Sequence, residues 1–192
     1  MSDEFDKDPA FVAAFERTIK GMMAGKLSLL EARKRMREKL RAIGYAPFLD
    51  QLNAEGEDGE FNWLNTLLET NLSMRQCRAH WLRQQKSLES FPAQQMVRQR
   101  IIKHPRDWSS RWSEALARTT KDGATDSKKK AALVNHPIWK ALCLFGNPYP
   151  PFEYDDDMGI EPLDWDETEA LGLLPGPSAS LIHRAMMNPR TE

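Results

Sequence analysis

A mostly α-helical chain, with a helical core and a small irregular or α+β C-terminal part, is what this sequence predicts. Three observations lead there. Apolar residues recur every three to four positions over most of the first 118 residues. Helix-start signals precede several of these runs. After Gly146 the pattern is broken by prolines interleaved with aromatics. The spacing predicts helices near 9–25, 28–43, 61–88, 92–103 and 107–118, together forming a helical domain over 1–118. Residues 119–135 read as an exposed basic loop, 136–174 as a Pro/aromatic-rich and acidic subdomain, and 175–192 as a tail.

Asp8-Pro9 opens the first helix, because Asp caps and Pro suits a first-turn position whose N–H is unpaired anyway. Phe11, Phe15, Ile19 and Met22 then mark one apolar face that ends near Gly25. Ser28 and Glu31 form a capping box for the second helix, whose stripe is Leu29, Met36, Leu40 and Ile43 and whose stop is Gly44. Its other face carries Arg33, Lys34, Arg35, Arg37, Lys39 and Arg41, which reads first as a solvated surface. A short apolar piece, Phe48-Leu49 with Leu52, leads into a polar loop with two glycines.

The longest helical pattern follows, with Trp63, Leu67, Thr70, Met74, Cys77 and Trp81 in a 4-3-4-3-4 spacing. Pro92 is read as restarting a helix through Met96, Val97, Ile101 and Ile102, which Pro105 ends. Asp107 caps the next, with Trp108, Trp112, Ala115 and Leu116 on one face. His136-Pro137 begins a short helix carrying Ile138, Leu142 and Phe145. Asp164 and Glu167 form a second capping box before a helix closed by Gly172. A small hairpin around 149–162 is compatible with the pattern.

Composition narrows the function classes. Cys77 and Cys143 are too few and too far apart for a disulfide framework or zinc spacing, and two buried free thiols are expected. No run approaches the roughly 18 apolar residues of a membrane span, and the acidic start MSDEFDKDPAF is no signal peptide, so a cytoplasmic protein is expected. His80, His104, His136 and His183 show no metal-ligand spacing. No HExxH, GxSxG or phosphate-binding glycine loop is present, so no catalytic role and no cofactor is assigned.

Charge is unevenly placed. Arg75 to Lys130 holds 14 Lys/Arg against 5 Asp/Glu, whereas Glu153 to Glu169 holds 9 Asp/Glu and no Lys or Arg. Such patches can pair within a chain, between subunits, or with separate partners. Glu153, Asp155, Asp156 and Asp157 are weak metal-ligand candidates, since clustered carboxylates can hold Mg²⁺ or Ca²⁺; an acidic surface turn is the plainer reading. Lys128, Lys129, Lys130, Arg118 and Lys121, with tryptophans nearby, are candidates for non-specific DNA contact through phosphates. Tyr149, Pro150, Pro151, Phe152 and Tyr154 form a stiff aromatic strip that either binds a partner or folds back over Trp139 and Phe145.

Two stretches carry a resemblance. Thr66 to Trp81, with its Thr70-Asn71 pair followed by small residues and an aromatic, resembles a helix of phage minor head proteins of the Mu protein F-like, head-morphogenesis type. His136-Pro-Ile-Trp139, Pro148-Tyr-Pro-Pro151 and the acidic segment at Asp166-Glu167 resemble the closing section of the same proteins. Phe91-Pro-Ala-Gln94 and Arg106-Asp-Trp-Ser-Ser-Arg-Trp112 resemble prophage members of the group. The resemblance spans roughly residues 15–175. The chain departs from the pattern in two places: Phe152-Glu-Tyr-Asp-Asp-Asp157 stands where many members carry Cys-Arg-Cys, and an Arg-x-x-His element is missing. What the resemblance implies is a minor capsid component acting in head assembly or DNA packaging through contacts with portal or capsid proteins. Such a protein would work in the host cytoplasm during assembly, and then either leave the particle or stay in the virion. A DNA-binding module and a metal-dependent enzyme built on the acidic turn are the alternatives.

Overall fold

The computed structural model describes residues 8–45, 57–101, 105–125 and 128–174. Among these the chain is mostly helical, with one small three-stranded sheet in its C-terminal region. In order the elements are α1 (Pro9–Met23), α2 (Leu29–Ala42), α3 (Glu57–Gln84), β1 (Ala93–Arg98), α4 (Trp108–Ala117), β2 (Ala131–Leu133), α5 (Ile138–Leu142), β3 (Met158–Leu163) and α6 (Trp165–Ala170). The segment around Phe48 and Leu52, His104, and the tail from 175 lie outside the described residues.

The chain forms two compact units, residues 1–75 and 76–192, which divide within α3. The helical domain expected over 1–118 is therefore cut earlier. The reason is that α4 buries Trp108 and Trp112 against Trp139 and Phe152, so it belongs with the C-terminal residues.

In the first unit the helix starts are those the local chemistry dictates. The Asp8 carboxylate accepts from the Ala10 and Phe11 N–H groups. Ser28 and Glu31 close a reciprocal capping box. Gly25 and Gly44 take positive φ (66° and 91°) just past α1 and α2. The Lys26 and Tyr45 N–H groups then reach back to the carbonyls of Gly21 and Leu40, a helix stop that favours glycine. Phe11, Ile19, Ala32, Met36, Leu40, Leu64 and Leu68 form the core. On α3 the fully buried positions here are Leu64 and Leu68, whereas Trp63 and Leu67 of the expected stripe are only half-buried. Thr70 of that stripe is buried, so the buried face combines Leu64 and Leu68 with one position that the apolar spacing marks.

The second unit holds the sheet, in order β2-β1-β3, with both pairings antiparallel. Residues 93–98 were expected to be helical and are instead its central strand. Met96 and Val97 fit either period, but Gln94 and Met96 point to one face and Ala93 to the other, the alternation of a strand. Its partners lie far along the chain, with Ala93 opposite Leu133 and Leu163, so local pattern could not reveal them. For the same reason β3 is not half of a hairpin around 149–162; it pairs with β1 from Ala93↔Leu163 to Arg98↔Met158.

Part of the expected basic loop 119–135 is β2, and Ala131, Ala132 and Val134 are buried. Residues 123–125 cover its outer edge, through Thr125 N–H to Ala131 O and Leu133 N–H to Gly123 O. The Met96 N–H donates to Lys130 O and the Gln99 N–H to Asp157 O. Even-numbered β1 amides therefore face β2 and odd-numbered ones face β3. By the same alternation, Ile160 and Pro162 turn their backbone groups to the outer side of β3. Proline, which has no N–H, is well suited to such an edge position.

Candidate functional site

The acidic turn and the Tyr-Pro-Pro strip that leads into it are built by the second unit's core. After α5 the strip folds back, with Leu144 N–H donating to Phe152 O at 2.7 Å. Tyr149, Pro150, Pro151 and Phe152 are buried, and only Tyr154 of the strip is exposed. Phe152 stacks on Trp139 at 6.2 Å and meets Trp108 edge-on at 6.1 Å; Trp112 meets Trp139 edge-on at 5.5 Å. From Tyr149 to Phe152 the strip is thus an internal wall, and Tyr154 is its one presented ring. Its aromatic rings gain more by joining three tryptophans than by facing water. Tyr154 packs edge-on against Phe145 at 5.0 Å.

Each indole in this cluster finds an acceptor. Trp112 Nε1 donates to Thr125 O at 2.6 Å, Trp139 Nε1 to Leu133 O at 2.9 Å, and Trp108 Nε1 to the Asp157 carboxylate at 3.0 Å. The tryptophans weighed as base-stacking platforms at 108 and 112 are therefore core residues.

The turn is held from two sides. Asp155 sits at φ 52°, a left-handed conformation that Asp tolerates better than most residues. The Asp156 carboxylate accepts from Phe152 N–H at 2.6 Å and from Met158 N–H at 2.9 Å, tying the turn's ends together. Burial pushes its carboxyl above the usual range, against the pull of those two N–H groups. Four arginines from β1, the following loop and α4 surround the turn. Arg98 meets buried Asp157 at 3.4 Å, and Arg100 pairs with Asp155. Arg106 and Arg111 both pair with Glu153, Arg111 at 2.6 Å. Arg106 also donates to the Tyr154 and Asp155 carbonyls, both at 2.9 Å. The Arg111 guanidinium lies 4.9 Å from the Trp108 ring centre, a cation–π contact.

Four arginines of the basic stretch thus pair with three carboxylates of the acidic one within the chain. The structure brings Glu153, Asp155, Asp156 and Asp157 together as a clamped turn. Each carboxylate is engaged by arginine, indole or backbone N–H. Among the described residues no group of three or more His, Cys, Asp or Glu side chains forms a potential metal site.

Arg98, Arg100, Arg106 and Arg111 are not assigned a site role by the sequence; the charge asymmetry is the signal for all four, and Arg106 and Arg111 also fall in the Arg106–Trp112 motif. The basic candidates are dispersed. Arg118 donates to Glu114 O and Ala141 O, bridging α4 and α5, whereas Lys121, Lys128 and Lys129 are exposed and Lys130 half-buried. His80 is exposed. His136 is buried and its Nδ1 accepts from Ile138 N–H at 3.1 Å, capping α5; burial holds its pKa below the ordinary value. Cys143 is buried and Cys77 half-buried, both as free thiols. No described helix is long and apolar enough to cross a membrane. Comparison with family models, with curated proteins and with solved structures returns no match.

Proposed function

We propose that the chain is a minor head protein of a phage or prophage, acting in capsid assembly or DNA packaging through protein–protein contacts with portal or capsid subunits. The resemblance over residues 66–81 and 136–167 supports this reading. The observation that carries it is the clamped turn: the carboxylates most suited to chemistry are used to fix the fold, which suits a rigid contact protein better than a reacting centre. A metal-dependent reaction at this turn would have to compete with those arginines and backbone N–H groups. The test is co-expression with portal and major capsid proteins from the genome that encodes the chain. Co-migration with either on gel filtration is the expected result, and separate elution from both would overturn the proposal.

A second reading, non-specific DNA contact, is favoured by the exposed Lys121, Lys128 and Lys129, which lie outside the arginine clamp. It predicts affinity for duplex DNA that falls steeply with salt. Replacing the three lysines by Ala should abolish that affinity, and unchanged affinity would remove these side chains from the account.

A further inference from the structure

We infer that residues 76–85, the C-terminal end of α3, form a latch on the second unit that opens as a piece while the α4–α5 core stays closed. Opening uncovers Tyr149 and the buried amide of Gln94.

The first observation is how little apolar surface holds this segment. From 76 to 85 only Gln84 is buried. Among the described residues, no side chain of the segment belongs to the aromatic core around Trp139 or to the apolar cluster of Ala93, Ala131 and Leu163. Leu82, its largest aliphatic side chain, is 48% exposed. Trp81 leans on Tyr149 at 5.8 Å in a tilted contact. Beside it, a cleft of about 210 Å³ lies between Gln84 and Pro162 of β3.

The second observation is unmatched polarity. Gln84 is 6% exposed and its Oε1 has no hydrogen-bond partner; nor do the buried atoms Trp81 Nε1 and Gln85 Nε2. Gln94 is fully buried and neither of its amide atoms is paired. It lies opposite Pro162 across the β1–β3 pair, on the sheet face that carries Pro162. Buried polar groups are nearly always paired in native proteins, and each one left unmatched weakens the interface that buries it. Helix α4 is the reverse case. It buries Trp108, Trp112, Ala115 and Leu116, and both of its indoles have acceptors. One unit therefore carries a well-matched helix and a poorly matched one. Segments with few buried apolar contacts open at free energies below that of global unfolding. In the open state the amides of Gln84 and Gln94 reach water, and Tyr149, 8% exposed when closed, presents its ring.

The latch concerns the second unit alone and does not rest on the head-protein reading. The test is native-state hydrogen exchange of the full chain by NMR, beside the Gln94→Met variant, which keeps the side-chain length and removes the unmatched amide. In the native chain the amides of residues 80–84 should exchange together, roughly tenfold or more faster than those from Trp112 to Leu116. Gln94→Met should slow the first group roughly tenfold and leave the second unchanged. Near-UV circular dichroism checks that the variant folds. Should it not, Gln84→Met removes the unmatched Oε1 at the helix end and should slow the same amides. Equal protection of the two helices would overturn the inference. So would unchanged or faster exchange at 80–84 in the folded variant, because unmatched amides would then not be what loosens the segment.

Discussion

The two units bury their apolar side chains in different ways. In the first, aliphatic and Phe side chains of α1, α2 and the first part of α3 meet, and the helices are started and stopped by neighbours a few residues away. In the second, three tryptophans and a phenylalanine meet across long loops, and each indole N–H has one partner, in one case 49 residues distant. A cluster of aliphatics tolerates small shifts. An indole that must reach a particular oxygen does not, because a missed hydrogen bond in a dry interior is costly. The second unit is therefore the more exactingly specified, and the arginine clamp belongs to that specification.

Mutations can break or sharpen this contrast. The largest effect is expected from Trp139→Ala, which removes the ring shared by Trp112 and Phe152. Urea unfolding followed by near-UV circular dichroism should show a loss of about 3–5 kcal/mol. Asp157→Ala leaves the Trp108 N–H and the Arg98 charge without their acceptor, at about 1–3 kcal/mol. Asp157→Asn, which keeps an acceptor for the indole, should recover part of the loss in the same assay. In the first unit the local character predicts a smaller cost. Ser28→Ala removes one cap of α2 and should lose about 1 kcal/mol, read as lost helicity on heating.

The smallest effect at neutral pH comes from His136→Asn, whose side-chain oxygen can replace Nδ1 as the acceptor for Ile138 N–H. The folded-state pKa of His136 lies below its ordinary value of 6.5, so folding favours the neutral ring. Its contribution is intact above 6.5 and is lost as pH falls from there through the folded value. The native chain should weaken across that window, and the Asn variant should show a flatter acid limb in pH-dependent thermal melts.

These contrasts also explain what could be read in advance. The caps at Asp8, Ser28, Asp107 and Asp164 and the stops at Gly25 and Gly44 involve residues two to five apart, and the structure has them where the sequence puts them. Strand β1 was misread because Met96 and Val97 also fit a helical stripe, and its true partners are β2 and β3. Folding back of Tyr149–Phe152 was one of two open alternatives, since a stiff aromatic segment serves a core as well as a partner. The acidic turn was visible as composition. Its arginines were not, because nothing local ties Glu153 to Arg106 and Arg111.

The central position of β1 has a consequence for synthesis. Its residue Arg98 is translated about 60 positions before its partner Met158. At about 5–20 residues per second the strand waits roughly 3–12 seconds on the ribosome for β3, with both edges unmatched until β2 is made, while α1 and α2 already have their neighbours. Gln94, Gln95 and Arg98 make this strand more polar than a central strand usually is, and that composition lowers the chance that the nascent segment sticks to another chain before β3 emerges.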